Sequence, residues 1–124
     1  MLMKWLIPVI LVGLLMGNVL PSPATMPQIQ ISIHSGAPYY LPKRATVGAG
    51  VAIRWVNPTA THHTVTHDAC LRGGMCLFDS GLIAPGDSYT IRTLKPGRYE
   101  YRCRIHPVMR GVLIVAEPMA LSDT

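Results

Sequence analysis

From Gln28 onward the chain alternates polar and apolar residues. Gln28-Ile29-Gln30-Ile31-Ser32-Ile33-His34 has the period of two expected of a strand with one buried face. Val51-Ala52-Ile53-Arg54-Trp55-Val56 is rich in β-branched and aromatic residues and stops at Asn57-Pro58, a turn pair. His63-Thr64-Val65-Thr66 reads as a short strand. Ala84-Pro85-Gly86-Asp87 is a turn leading into Ser88-Tyr89-Thr90-Ile91-Arg92, and Lys95-Pro96-Gly97 is a turn before Arg98-Tyr99-Glu100-Tyr101-Arg102. Gly111-Val112-Leu113-Ile114-Val115 is the last strand. No stretch has a convincing helical period. Short strands separated by Gly/Pro turns predict an all-β fold, an antiparallel β-sandwich.

The first residues follow a different pattern. Met1 to Lys4 carries one positive charge. Trp5 to Leu20 is apolar except for Gly13, Gly17 and Asn18, with Pro8 inside it. Pro21-Ser22-Pro23-Ala24 follows, with small residues at Ser22 and Ala24. A basic start, a short apolar core and a small-x-small site are the layout of a secretory signal peptide, 1–24, cut after Ala24. The competing reading is an uncleaved membrane anchor, for which the apolar run is short against the ~20 residues a span needs. The domain is then 25–124. Loss of Lys4 leaves ten cations against six carboxylates, a net charge of +4. The arginines are scattered, with no basic run or basic helix, which excludes a nucleic-acid footprint. The excess suggests an acidic partner surface.

The chemistry sits near the C-terminus, in Tyr101-Arg102-Cys103-Arg104-Ile105-His106-Pro107-Val108-Met109-Arg110-Gly111. Cys103, His106 and Met109 place a thiolate, an imidazole and a thioether within seven residues. His63 supplies a second imidazole from upstream. Two His, one Cys and a weak axial Met form the ligand set of a mononuclear blue-copper electron-transfer site. Such a set suits neither Cu(I) nor Cu(II) fully and changes little between them. Strand parity puts His63, Val65 and His67 on one face and His62, Thr64 and Thr66 on the other, so His62 is expected at the surface. A closed zinc site would want more Cys or His ligands. A nucleophilic Cys103–His106 pair lacks an orienting carboxylate and an oxyanion loop. Export implies an oxidising compartment, so Cys70 and Cys76 read either as a disulfide or as part of a second soft-metal site with His67 and Met75.

These residues together resemble the cupredoxin family of small blue copper proteins, over nearly all of 25–124. Tyr40-Leu41-Pro42, Val47-Gly48 and Val51 to Asn57 look like its early strands, and His63-Thr64-Val65 looks like its first-ligand motif. Phe78-Asp79-Ser80-Gly81-Leu82-Ile83-Ala84-Pro85-Gly86-Asp87 looks like its middle segment, and Cys103-x2-His106-Pro107-x-Met109 has the short loop of amicyanins rather than the longer plastocyanin loop. The resemblance implies a Greek-key β-sandwich of about seven to eight strands with copper at one end. It also implies that His106 lies near the surface in an apolar patch where partners dock.

Two positions depart from the family pattern. Thr64 replaces the usual Asn after the first His; its backbone N–H is expected to point at the Cys103 sulfur. Ile105 replaces the frequent Pro before the second His and retains an N–H, an additional donor that would raise the potential. The function expected is an exported, periplasmic or extracytoplasmic, single-electron carrier between redox proteins, and not an enzyme, since four protein ligands leave no open position. The alternatives are a copper-delivery protein and a membrane-anchored structural cupredoxin domain. Docking is expected on Ile105, Pro107 and Val108, rimmed by Arg104 and Arg110, which would steer an acidic partner.

Overall fold

The computed structural model describes residues 27–92 and 94–118, with scattered positions upstream of 23. The cleavage site expected after Ala24, much of the apolar run before it, and the tail from 119 lie outside the described residues. Among the described residues no helix is long and apolar enough to cross a membrane.

Among the described residues, eight strands form two four-stranded sheets packed face to face. They are β1 (Gln28–Ile33), β2 (Tyr40–Leu41), β3 (Arg44–Gly48), β4 (Ala52–Val56), β5 (Thr66–His67), β6 (Ser88–Ile91), β7 (Gly97–Arg102) and β8 (Arg110–Ala116). One sheet has the order β2-β1-β4-β6 and the other β3-β8-β7-β5. A 3₁₀ turn, Asp68–Leu71, follows β5.

The period-two pattern does what it predicts. Ile31 and Ile33 of β1, Ile53 and Trp55 of β4, Tyr99 and Tyr101 of β7, and Leu113 and Val115 of β8 are buried. Trp55 is the hub, edge-on to Tyr101 at 5.5 Å between ring centroids, and Tyr101 meets Tyr40 edge-on at 4.8 Å. Burying side chains of this size stabilises by ~2–3 kcal/mol each before the cost of ordering them. Gly111 lies opposite Tyr101 in the β7–β8 ladder, and the Tyr101 ring occupies the space a Cβ there would need.

Two expectations are corrected. The sheets are mixed, not purely antiparallel: β1 runs parallel to β4, and β3 parallel to β8. The chain leaves the first sheet after β2, adds β3 to the second, and returns as β4. Both parallel pairs join strands that are not consecutive in the chain, as parallel neighbours require a crossover connection. The strand read at His63–Thr66 is only Thr66–His67. Upstream, His63 and Ile83 exchange two backbone bonds as an isolated bridge. The Val65 N–H then goes to the Ser80 hydroxyl at 2.8 Å instead of a backbone carbonyl, which interrupts the ladder.

Cys70 and Cys76 are joined by a disulfide. This removes the second soft-metal site as an alternative, because both sulfurs are consumed and Met75 points into solvent.

Candidate metal centre

Cys103 immediately follows β7 and Arg110 opens β8, so the six residues between the strands and Cys103 itself make the connecting loop. Two backbone bonds close it: Cys103 N–H to Met109 O at 3.1 Å, and Met109 N–H to His106 O at 2.8 Å. Pro107 suits the turn because its φ is already restricted. The result folds Cys103, His106 and Met109 back on one another. Cys103 and Met109 are buried, whereas His106 reaches the surface.

His63 arrives from the other side, forty residues upstream of Cys103. The ligand atoms of His63, Cys103 and His106 all lie within 4.8 Å of one another. The Cys103 sulfur stands 3.8 Å from His106 Nδ1, and the two imidazole rings are 5.2 Å apart. His62 is exposed, as expected, but not by strand parity: Thr64 and Thr66, read on the same face as His62, are buried along with His63 and Val65.

The imidazole of His63 has two different edges. Its Nε2 faces the hydroxyls of Thr59 at 2.9 Å and Thr61 at 3.0 Å. Its Nδ1 is buried with no hydrogen-bond partner among the described residues. Burial, then the neighbouring His106 and His62, hold the His63 pKa below its ordinary value, which favours the neutral ring. An orphaned buried nitrogen costs ~1–3 kcal/mol unless something satisfies it. A metal ion between Nδ1 of His63, Nδ1 of His106 and the Cys103 sulfur would do so. Met109 and both histidines also line a hollow of about 290 Å³. The residues present therefore fit a type 1 copper ion: His63, Cys103, His106 and Met109 are arranged as its site.

Thr64 pins the two halves together. Its N–H donates to the Cys103 sulfur at 3.3 Å, as expected. Its hydroxyl accepts the Arg104 N–H at 2.8 Å, and its carbonyl accepts the Tyr40 hydroxyl at 2.7 Å. The Thr64 side chain thus ties the His63 segment to the ligand loop. The donor expected from Ile105 is not found: among the described residues the sulfur receives a backbone N–H from Thr64 and none from Ile105.

Sequence reasoning missed the support behind the site. Asn57, 1 % exposed, donates to Thr61 O at 2.8 Å and Ile83 O at 2.9 Å, and accepts from the Thr59 hydroxyl at 2.6 Å. It therefore sets the Thr59 hydroxyl that faces His63. The signal was present as Asn-Pro-Thr-Ala-Thr running straight into a candidate ligand. Asp79 is the second missed residue. It accepts from Thr66 at 3.0 Å and from the Arg104 guanidinium at 2.6 Å. Burial pushes its carboxyl up, but hydrogen bonds from Arg104, the Gly81 N–H and Thr66 together hold it below the ordinary range. The pairing also corrects the basic rim: Arg104 is neutralised by Asp79, and Arg110 lies with Lys43 and Arg98 on the outer face of the β3-β8-β7-β5 sheet.

Comparison with known proteins agrees with this geometry. The family model of the cupredoxin-like domain matches residues 7–115. This chain belongs to the cupredoxin family. A plastocyanin from Prochlorothrix hollandica is 31 % identical over 101 residues, covering 79 % of this chain and 77 % of the relative. An amicyanin from Paracoccus versutus is 33 % identical over 76 residues, covering 61 % of this cupredoxin and 57 % of that protein. Among solved structures, the reduced state of an amicyanin variant superposes with a TM-score of 0.61 at 27 % identity, over 72 % of this chain and 82 % of that one.

Proposed function

We propose that this cupredoxin is exported and carries single electrons between redox proteins, with copper held by His63, Cys103, His106 and Met109. The observation that carries the reading is the unpartnered, buried Nδ1 of His63 beside the buried Cys103 sulfur and His106. When bound, copper supplies a one-electron couple between Cu(I) and Cu(II). The protein's own residues do the rest. Thr59 and Thr61 occupy Nε2 of His63 and leave Nδ1 for the ion. The Thr64 N–H stabilises negative charge on the Cys103 sulfur. The closed loop and the Thr64 staple hold the ligands in one arrangement, so little moves when the charge changes.

His106 is the ligand that reaches the surface, between exposed Ile105 and Val108. Electrons enter and leave through its imidazole edge. The disulfide supports a location outside the reducing cytoplasm, the periplasm or an extracytoplasmic face. The chain spans about three quarters of the plastocyanin and just over half of the amicyanin it resembles, so partner identity does not transfer from either.

The test is the visible spectrum and voltammetry of the copper-loaded protein. An intense blue band with reversible one-electron cycling supports the reading. A protein that binds only Cu(I) and stays colourless is a copper-delivery protein instead. Cys103→Ser must lose the band while the β-sheet circular dichroism persists. Met109→Gln must keep copper and lower the potential, because an oxygen donor favours Cu(II); an unchanged potential would show that Met109 is not a ligand.

A further inference from the structure

The charge of this cupredoxin is gathered on one side. The outward positions of the β3-β8-β7-β5 sheet and the loops beside it carry Lys43, Arg44, Arg72, Arg98, Arg102 and Arg110, against only Asp68 and Glu100, a net of +4. The remainder of residues 27–118 holds four cations and three carboxylates. Two adjoining hollows of about 400 and 200 Å³ share Asp68, Arg98 and Glu100 and mark this face as concave. Lys43, Arg44 and Arg110 have no carboxylate partner among the described residues.

The register shows how the face is composed. Val112 lies between Arg44 and Glu100, and Ile114 between Thr46 and Arg98. Arg110 and Arg102 are directly opposite, a like-charged pair that costs stability unless an anion is near. Asp68 supplies one such anion, bound to Arg102 at 2.8 and 3.0 Å. The half-buried valine and isoleucine on the central strand thus form an apolar middle flanked by Arg44, Arg98 and Arg110, with Glu100 the one carboxylate directly beside it, the layout of a protein interface. The outward strand positions carry no aromatic on which a base would stack.

We propose that this face docks the acidic surface of a redox partner, beside the His106 end and not around it. This rests on the electron-carrier reading for the nature of the partner; the surface itself is read from charge and register. The loop from Cys103 to Met109 joins the ends of β7 and β8 that carry Arg102 and Arg110, so the docking face borders the metal centre. A partner anchored there is steered in register, which raises the association rate more than the affinity.

The probe is a deca-glutamate peptide titrated into the copper(I)-loaded, ¹⁵N-labelled protein at low salt. Amide shifts should cluster on residues 43–44, 98–102 and 110–114. Arg98→Glu/Arg110→Glu should weaken binding roughly tenfold, whereas Arg54→Glu/Arg92→Glu, an equal change of charge elsewhere, should weaken it less than twofold. Shifts centred on the 103–109 loop, or equal losses in both variants, would overturn the proposal. So would tighter binding of a single-stranded DNA 12-mer or of phosphatidylglycerol vesicles than of the peptide. Colour is scored separately. A colourless protein that binds the peptide on this face loses the electron-carrier reading alone, and a blue protein with no localised shifts loses the docking face alone.

Discussion

Replacing Asn57 with alanine should cost about 3 kcal/mol of stability and loosen the metal centre with it. The side chain makes four hydrogen bonds: to Ile83 O at 2.9 Å, to Thr61 O at 2.8 Å, and from the Thr59 N–H at 3.1 Å and hydroxyl at 2.6 Å. At about 1 kcal/mol each, four bonds give about 4 kcal/mol. Ile83 O keeps its bond from the His63 N–H, and Thr59 is close enough to solvent for water to replace part of the loss. That brings the figure to about 3 kcal/mol. With an m-value of about 1.5 kcal/mol/M in urea, the midpoint of the copper-free protein should fall by about 2 M with m unchanged. The Thr59 hydroxyl would then be free to rotate away from His63 Nε2. Copper affinity should fall about tenfold, the low end for loss of a residue that orients a ligand. Thr59→Val should lower affinity with a smaller stability loss, and Thr59→Ser should restore it. An Asn57→Ala protein less than 1 kcal/mol destabilised, with wild-type copper affinity, would refute the account of Asn57 as the support of His63.

Arg102→Met should destabilise by about 3 kcal/mol at pH 7, since it leaves Asp68, only 10 % exposed, with Arg72 alone at 3.7 Å. The Arg102 hydrogen bond holds the Asp68 carboxyl below its ordinary value, so the pair's stabilisation is complete above the unfolded pKa of about 3.9 and is lost as pH falls through the lower folded value. The gap between the thermal melts of wild type and variant should therefore narrow as pH falls below about 4; a gap independent of pH would show that the loss is packing alone. Gly111→Ala should cost about 2 kcal/mol or more, because the new methyl overlaps the buried Tyr101 ring. The cost should shrink in a Tyr101→Leu background, which denaturation of the four proteins in a double-mutant cycle would show.

Much of the site was legible because its chemistry is local. Cys103, His106 and Met109 are within seven residues, and no folding model is needed to see that a short loop brings them together. His63 was legible for a weaker reason, as a histidine with the right residue types beside it; strand parity did not single it out, since Thr64 and Thr66 are buried with it and the strand begins only at Thr66. Thr64 illustrates the boundary. Its N–H to the Cys103 sulfur was expected, but whether its hydroxyl spanned the site depended on where Arg104 came to rest. Arg104 was misread because a charge in a sequence has no visible partner; Asp79, twenty-five residues away, became one only when Thr66 and the loop packed beside it.

What this chain determined by itself was its strands, its turns and the three-ligand loop. Those depend on the alternation of side chains about a pleated backbone and on the covalent closeness of Cys103 to Met109. What only the tertiary structure decided was the parallel pairing of β1 with β4 and of β3 with β8, the arrival of His63 within 4.8 Å of Cys103 and His106, the support from Asn57, and the gathering of six cations on one sheet face and its loops. Each of these depends on which segments cross between the sheets, and the free energy that selects the crossover is spread over the whole buried core around Trp55 rather than written in any one stretch.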